Sequence, residues 1–294
     1  MDELIITAVC DCLTTWPANP YMPARGDTDP LADQFVGAFD AGASILHHHG
    51  VVHHDSDTGR PRIDLGGWER MTETLRSRAK GSIMQYGIAG LTPEDKRTLM
   101  RDQRPEMMST HTEPHDTHFA PDPSGKRMDI YTTYPREWLL EVARDSIECG
   151  TKIEAECFTT GAYWTIDFLV EEKLLPEPRY GTIFLGWPGG TWTPPTQDSL
   201  HYMVHNLPKG MIWNLSVMDP EAQWQLIPLA IEMGGHVRVG WEDNPYLPNG
   251  EIARENAQLV EVVVEIAERL GRPIASPERA REILGLSTPA AVPA

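Results

Sequence analysis

Basic residues, cysteines and long apolar runs are all scarce in this chain of 294 residues. Only 25 Lys and Arg stand against 43 Asp and Glu, a formal net charge of −18. Nucleic acids and anionic membranes are bound through basic surfaces, so this charge balance excludes a general partner of either kind. It leaves anionic small substrates open, because one arginine or one metal ion can dominate the field of a small site.

The cysteine content and the lack of long apolar runs also bear on the compartment in which the protein works. Four cysteines in a chain of this length do not form a disulfide framework, and we expect reduced thiols. No apolar run approaches the roughly 20 residues that a membrane span needs. The N-terminus, Met1-Asp2-Glu3 followed directly by an apolar strand, lacks the features of a signal or transit peptide. These features predict a cytoplasmic protein without a membrane partner.

Short apolar strand patterns alternate with helical patterns along almost the whole chain. Strands are predicted at 4–10, 44–49, 82–86, 106–110, 152–158, 180–187, 211–218 and 236–241, each followed by a helix. Such regular alternation favours a closed (β/α)8 TIM barrel, here with an extra C-terminal helix at 277–284. A doubly wound open sheet is the alternative, but no glycine-rich dinucleotide fingerprint follows the first strand. We predict one domain over 1–294, with a disordered tail at 287–294.

The last predicted strand ends in an unusual group of charged residues. The stretch 236–244 alternates valine with polar residues, so Arg238, Gly240 and Glu242 share one face of the strand. Burying such charges is costly unless they are paired with each other or bind a metal ion. A buried Arg–Glu ion pair is therefore one interpretation of this stretch, and a metal site is the other.

A second stretch, 43–49, favours the metal site. His47 and His49 share one face of the predicted second strand, whereas His48 points the opposite way. Two imidazoles from one strand and a carboxylate such as Glu242 from another are the three protein ligands of an open catalytic zinc site. In a closed barrel, strands two and eight both lie beside strand one, at the face where barrel enzymes have their active sites.

Other polar residues project towards the same mouth of the predicted barrel. Ser109, Glu156 and Gln85 are each either barrel filling or outer hydrogen-bonding groups, and a packing role is favoured for Gln85. The long loop 111–132 contains histidines at 111, 115 and 118 that resemble a metal-binding tract. The alternative interpretation is that those three histidines have no binding role.

Four motifs, in the same order, resemble the β-keto acid cleavage enzymes, including the branch that cleaves 3-keto-5-aminohexanoate. The motifs are Gly42–His49, Pro105–Met107, Glu154–Glu156 and Met233–Asn244, and the resemblance extends from 5 to 286. It implies a (β/α)8 barrel with one zinc ion, or another divalent metal, in a cytoplasmic homo-oligomer, often a tetramer. It also implies that a small β-keto acid reacts with acetyl-CoA as co-substrate to give acetoacetate and a new acyl-CoA.

The resemblance also implies roles for individual residues. His47, His49 and Glu242 would hold the metal. Arg238 would orient the substrate carboxylate through its planar fork, and Asp243 is the candidate general base. Two further candidates have no assigned step in the reaction. Ser109 matches a family hydroxyl near the site, and Glu156 matches a family glutamate in the outer shell of the pocket.

Two departures from the 3-keto-5-aminohexanoate branch concern the substrate. That branch has Gln-Pro-Ser-Thr-Gly-Gly where this chain has Gln85–Gly90, so a serine hydroxyl is missing. It also has a glutamate that meets the substrate ammonium, whereas the stretch 12–16 here contains no acid and ends in Trp16. We therefore expect a substrate without a free primary ammonium at that position. An apolar chain, or a quaternary ammonium stacked on Trp16, fits this stretch better; the alternative is that Trp16 only packs its loop against the barrel.

Two other functions compete with this interpretation. A zinc-dependent barrel hydrolase is one, although hydrolases of this class usually have their His-x-His pair on the first strand, and here it is on the second. A non-catalytic barrel that binds a metal or an acyl-CoA is the other. Acetyl-CoA-dependent formation of acetoacetate distinguishes the three.

Overall fold

The structure is a computed structural model that describes residues 2–10, 16, 19–23, 27–50, 53–54, 61–87, 91–119 and 127–287. The stretches 12–15 and 88–90, on which the two departures partly depend, lie outside the described residues. The predicted tail lies outside them as well, apart from residue 287.

Twelve strands and nine helices lie within the described residues. In chain order they are β1 (Ile6–Val9), α1 (Thr28–Asp40), β2 (Ile45–His48), β3 (His53–His54), β4 (Pro61–Arg62), α2 (Leu65–Arg78), β5 (Ile83–Tyr86), α3 (Pro93–Gln103), β6 (Met107–His111), β7 (His115–Phe119), β8 (Met128–Thr132), α4 (Arg136–Cys149), β9 (Lys152–Cys157), α5 (Gly161–Glu171), β10 (Arg179–Leu185), α6 (Gln197–His205), β11 (Met211–Val217), α7 (Ala222–Glu232), β12 (His236–Gly240), α8 (Ala257–Arg269) and α9 (Pro277–Leu284).

Eight of these strands form a closed parallel barrel in the order β1-β12-β11-β10-β9-β6-β5-β2. The predicted (β/α)8 barrel is confirmed, and the open-sheet alternative is wrong. Strand β1 lies between β2 and β12, with Thr7 opposite Arg238 and Val9 opposite His47. This register brings the carboxyl ends of β2 and β12 to either side of β1, at the mouth of the barrel.

Local sequence signals explain where several helices begin. Thr92 and Asp95 form a capping box at the start of α3, with Pro93 in its first turn. Ser276 caps α9 through the backbone N–H of Arg279. Helix α1 begins at Thr28 and has Pro30 in its first turn, where backbone N–H groups need no helical acceptor.

An apolar layer closes the amino-terminal end of the barrel. Its buried side chains come from the barrel strands and from the chain around α9, and they are Ile5, Ile45, Ile83, Met107, Tyr180, Ala275, Ala280 and Leu284. The predicted extra C-terminal helix therefore seals the floor of the barrel.

The segment 111–132 differs from its predicted loop. Strand β6 continues to His111, and β7 and β8 then form an antiparallel hairpin. Short alternating strands without a tight two-residue turn give only a weak signal in sequence, which is why this hairpin was missed.

The sequence predicted no membrane span and no disulfide framework. None of the helices there has both the length and the apolar character required to span a bilayer. Of the cysteines there, Cys10, Cys149 and Cys157 are thiols rather than members of disulfides.

Candidate functional site

Three potential metal ligands meet at the mouth of the barrel. His47 lies in β2, His49 directly follows it, and Glu242 lies two residues beyond β12. One ligand atom from each lies within 4.8 Å of the other two, and this is the only such group of His, Cys, Asp or Glu in the part of the chain that the structure describes. All three side chains are buried. The three residues predicted as metal ligands are therefore brought together.

Glycine at position 240 permits this arrangement. Its φ of +146° lies in the region that favours glycine, and a Cβ there would lie 1.7 Å from the carbonyl oxygen of Val9. The backbone N–H groups of Asp243 and Asn244 both donate to the carbonyl of Gly240. This turn directs the two carboxylates that follow β12 back over the barrel.

The donor atoms have the spacing of a tetrahedral metal site. The Nε2 atoms of His47 and His49 are 3.2 Å apart, and His49 Nε2 is 3.6 Å from Glu242 Oε1. Ligands about 2.0–2.1 Å from a tetrahedral zinc ion are separated by roughly 3.3 Å, so these distances suit such an ion. A ring of three ligands also leaves a coordination position for a substrate.

The protonation state of His47 suits a metal ligand too. Its Nδ1 lies 3.0 Å from Oε1 of Gln85, an amide oxygen that can only accept, so Nδ1 carries the proton and the Nε2 lone pair faces His49. Burial, reinforced by nearby Arg238, holds the pKa of His47 well below its usual range. Gln85, for which a packing role was favoured, thus orients a metal ligand.

His48 points out of the barrel, as the period of two predicts. Its ring packs against Phe35, Trp68 and Tyr86, and its Nδ1 accepts the backbone N–H of Gly50. Burial lowers the pKa of His48 to about 3. The middle histidine is therefore a neutral packing residue, and its side chain points away from those of His47 and His49.

A buried ion pair adjoins the three ligands. Arg238 donates from Nε and Nη2 to the two carboxylate oxygens of Asp243, at 2.9 Å each, and its Nη2 is 3.4 Å from Glu242 Oε1. Ser216 Oγ donates to the same carboxylate at 2.7 Å. Arg238 is 2% exposed and Asp243 is 0% exposed, so the pair is held away from water. The contacts of Arg238 with Asp243 and Glu242 agree with the ion-pair interpretation of the Arg–Glu stretch, and Glu242 also lies in the candidate ligand group.

One donor of this arginine has no hydrogen-bond partner within the described residues, namely the buried Nη1. The guanidinium carbon lies 5.1 Å from the centre of the Phe184 ring, which supports its flat face. A buried donor without a partner is costly unless a ligand satisfies it. This atom is therefore suited to bind an anionic group of a substrate.

Ser109 lies beside the ligand histidine. A Cβ on Gly87 would lie 2.0 Å from Ser109 Oγ and 2.5 Å from Cε1 of His47, so the hydroxyl and the imidazole flank this glycine. A larger residue at 87 would displace one of them. Lys96 Nζ donates to the carbonyl of Ser109 at 2.7 Å. Lys96, which sequence reasoning missed, thereby fixes the end of β6.

Glu156 lies at the same mouth and forms an ion pair with His111, whose Nδ1 is 2.6 Å from Glu156 Oε2. Burial raises the pKa of Glu156, but His111 and Arg238 outweigh burial and lower it below the usual range. Its neighbour Glu154 lies deeper and accepts a hydrogen bond from Thr182. Burial and the adjacent Glu156 raise the pKa of Glu154, so the two acids are driven in opposite directions.

The three loop histidines do not form a metal tract. His111 pairs with Glu156, His115 lies against the His111 ring, and His118 contacts Asp129 in an exposed pair at 2.5 Å. Their partners differ, so the alternative without a shared metal agrees with the structure.

An aromatic cluster covers the site on the β9–β10 side of the mouth. Its buried members, with the partly buried Trp16 packed against them, are Phe119, Phe158, Phe184, Trp187 and Met218. Trp16 Nε1 donates to the carbonyl of Asp243 at 3.1 Å, and its ring meets Tyr246 edge-on. The Trp16 side chain therefore contacts the segment that follows β12 and borders the ion pair.

Comparisons with known proteins agree with this arrangement. The family model described as beta-keto acid cleavage enzyme matches residues 3–286. A 3-keto-5-aminohexanoate cleavage enzyme from Fusobacterium nucleatum is 32% identical over 97% of this chain and 99% of its own length. A 3-dehydrocarnitine:acetyl-CoA trimethylamine transferase from Rhizobium meliloti is 29% identical over 96% of this chain and 95% of its own.

A solved structure is similar in fold. ObcA in complex with oxaloacetate superposes with a TM-score of 0.67 at 17% identity, covering 92% of this chain and 68% of that one. At this identity the similarity concerns the barrel fold alone. The family match, by contrast, spans nearly the whole chain and confirms the expected enzyme class, acyl transfer with carbon–carbon bond cleavage. The chain therefore belongs to the β-keto acid cleavage enzyme family.

Proposed function

We propose that this protein is a zinc-dependent enzyme that converts a β-keto acid and acetyl-CoA into acetoacetate and a new acyl-CoA. The observation that carries the proposal is the buried Arg238–Asp243 pair beside the ligand group His47, His49 and Glu242. A divalent ion other than zinc would suit the same donors, but two imidazoles and one carboxylate in an open site are typical of catalytic zinc. When bound, the ion would act as a Lewis acid towards the carbonyl of the β-keto acid.

Arg238 is proposed to bind the substrate carboxylate through Nη1. Its Nε and Nη2 are held by Asp243, and the ring of Phe184 supports the guanidinium face, so Nη1 is presented in a fixed direction. A preorganised donor of this kind costs no reorganisation when the substrate binds. The carboxylate of a β-keto acid would supply the acceptor that this buried donor lacks.

Asp243 is proposed to remove the acidic proton between the carbonyl and the carboxylate of the substrate. Its hydrogen bonds from Arg238 and Ser216 hold the carboxylate in one orientation. The hydrogen that it would remove lies between a carbonyl and a carboxylate group, and an ion held by His47, His49 and Glu242 would stabilise the enolate that forms. The same carboxyl group would return the proton to the acetoacetate enolate at the end, so no net proton is consumed.

Ser109 and Glu156 complete the proposed site. The hydroxyl of Ser109 lies beside His47, where it can donate to a developing oxyanion near the metal ligands. Glu156 is 7% exposed and contacts His111, so we assign it an outer position.

The acyl group of the substrate is proposed to meet the aromatic cluster. Near that cluster, Glu113 accepts the backbone N–H groups of Phe158 and Thr159, and Glu156 pairs with His111. Because these acids already bind other groups, neither is available to pair with a substrate ammonium. Burying an ammonium without a partner costs several kcal/mol. We therefore propose a β-keto acid whose acyl group is apolar or carries a quaternary ammonium. Dehydrocarnitine, named for one relative, is a substrate of the second kind.

We also propose a cytoplasmic homo-oligomer, a tetramer, for the working enzyme, to be checked by light scattering. The decisive test of function is a panel of β-keto acids incubated with acetyl-CoA and the zinc-loaded protein, with acetoacetate as the readout. Formation of acetoacetate only when both substrates are present supports the proposal. Hydrolysis of a substrate without acetyl-CoA would favour the barrel hydrolase, and binding without turnover would favour a non-catalytic barrel.

A further inference from the structure

One histidine at the mouth of the barrel has no role in the steps above. His111 ends β6 and lies opposite Glu156 of β9 in the strand register. Its Nδ1 is 2.6 Å from the carboxylate, and the two residues are 6% and 7% exposed. The pair is therefore a histidine–carboxylate dyad held by neighbouring strands rather than by flexible loops.

The surroundings of His111 hold its ring in one orientation. It is stacked on Tyr134 with ring centres 5.0 Å apart, and it is nearly parallel to Phe158 at 5.7 Å. His115 meets its edge at 4.3 Å. Because Nδ1 faces Glu156, the opposite nitrogen, Nε2, is the one available to a ligand.

Glu156 is the acid that pairs with the His111 ring. Glu156 stays ionised, since His111 and Arg238 lower its pKa despite burial. The neighbouring His115 is neutral, because burial lowers its pKa to about 3, so it does not compete for the carboxylate. A carboxylate at hydrogen-bond distance stabilises the charged form of an imidazole.

The dyad adjoins the proposed reaction site. His111 lies two residues beyond Ser109 on the same face of β6, one layer nearer the mouth. Phe158, which lies against the imidazole, is stacked on Phe184 at 4.5 Å, and Arg238 lies over Phe184. In the ring of strands β6 and β9 lie across from β1 and β12, so the dyad faces the Arg238–Asp243 pair across the mouth.

We infer that His111, charged and held by Glu156, is a catalytic residue that stabilises the CoA thiolate formed midway through the reaction. The inference rests on the proposed function. The substrate enolate attacks the acetyl carbonyl, a carbon–carbon bond forms, and the electron pair of the broken carbon–sulfur bond goes to sulfur. The thiolate then adds to the ketone, and cleavage leaves the electron pair on the acetoacetate enolate, which takes back the proton from Asp243. Sulfur leaves and returns as an anion, so it needs a positive hydrogen-bond donor, which Nε2–H would supply.

Two measurements on the zinc-loaded protein separate this role from the earlier step. Exchange of the α-hydrogen of the β-keto acid with D2O, in the absence of acetyl-CoA, reports proton removal by Asp243. Acetoacetate formation reports the complete reaction. In His111→Asn we expect exchange at the wild-type rate and kcat lower by ~10²–10³, the usual effect of removing one preorganised donor. His118→Asn, which removes the exposed histidine–carboxylate pair with Asp129, is the matched control and should leave both rates unchanged.

A second variant tests the pairing of the ring with the carboxylate without removing the ring. Glu156→Gln keeps the side-chain volume but removes the negative charge 2.6 Å from His111 Nδ1, so kcat should fall while α-hydrogen exchange stays at the wild-type rate.

The possible outcomes are distinct. Wild-type kcat in His111→Asn, or wild-type kcat in Glu156→Gln, overturns the inference. Loss of α-hydrogen exchange in His111→Asn overturns it too, because His111 would then act before the thioester is involved. Failure of the wild-type protein in both exchange and turnover would instead refute the proposed function.

Discussion

Replacing Asp243 with asparagine is the sharpest test of the proposed site. The side chain is 0% exposed and accepts three hydrogen bonds, two from Arg238 and one from Ser216. Asn has nearly the same shape, but it removes the negative charge and turns one acceptor into a donor facing the guanidinium. Removing one partner of a buried ion pair typically costs about 3–5 kcal/mol. Because Glu242 remains 3.4 Å from Arg238, we expect the lower end, about 3 kcal/mol.

The same substitution should also lower the catalytic rate. If Asp243 is the general base, kcat should fall by ~10²–10⁴. Zinc should remain bound, because the three ligands are untouched. The assays are urea unfolding, metal content by mass spectrometry and the initial rate of acetoacetate formation. Ser216→Ala is the matched control, since it removes one hydrogen bond to the carboxylate, costs about 1 kcal/mol and leaves the charge in place. A folded, zinc-replete Asp243→Asn enzyme with wild-type kcat would show that another group removes the proton.

Three further predictions concern the metal ligands and the substrate. His47→Ala and His49→Ala should each lose most of the bound metal by mass spectrometry, whereas His48→Ala should keep it; loss in His48→Ala alone would refute the ligand assignment. Gln85→Leu should weaken metal affinity by ~10–100-fold in a chelator competition, because the proton on His47 Nδ1 loses its acceptor; unchanged affinity would mean that Gln85 only fills space. A neutral or quaternary-ammonium β-keto acid should exceed 3-keto-5-aminohexanoate in kcat/KM; a tenfold preference for the primary amine would contradict the inference drawn from Trp16 and its neighbours.

Several features of the site follow from local sequence alone. A strand has a period of two, so His47 and His49 had to share one face and His48 the other. Eight alternating units of strand and helix predict a barrel, whose chemistry lies at the carboxyl ends of its strands. These two arguments are sufficient to bring Glu242 to the histidines, because β1 separates β2 from β12 in any closed barrel of this order.

Other features were decided by tertiary structure. That Gln85 reaches His47, that Ser216 binds Asp243 and that His111 faces Glu156 all depend on strand register. A period of two excludes a slip of one residue, but how far each strand is shifted along its neighbour is set by packing across the whole barrel.

The charge state of the site was likewise decided by the fold. From the sequence, Glu154 and Glu156 are two similar acids on one face of a strand. In the folded protein one lies beside His111 and Arg238, and the other lies deeper in the barrel, so their pKa values move in opposite directions. Residue type and period thus determined which side chains point into the barrel, whereas depth and neighbours across strands determined what each can do. The physical reason is that periodicity is a local property of the backbone, while desolvation and pairing depend on the whole enclosed space.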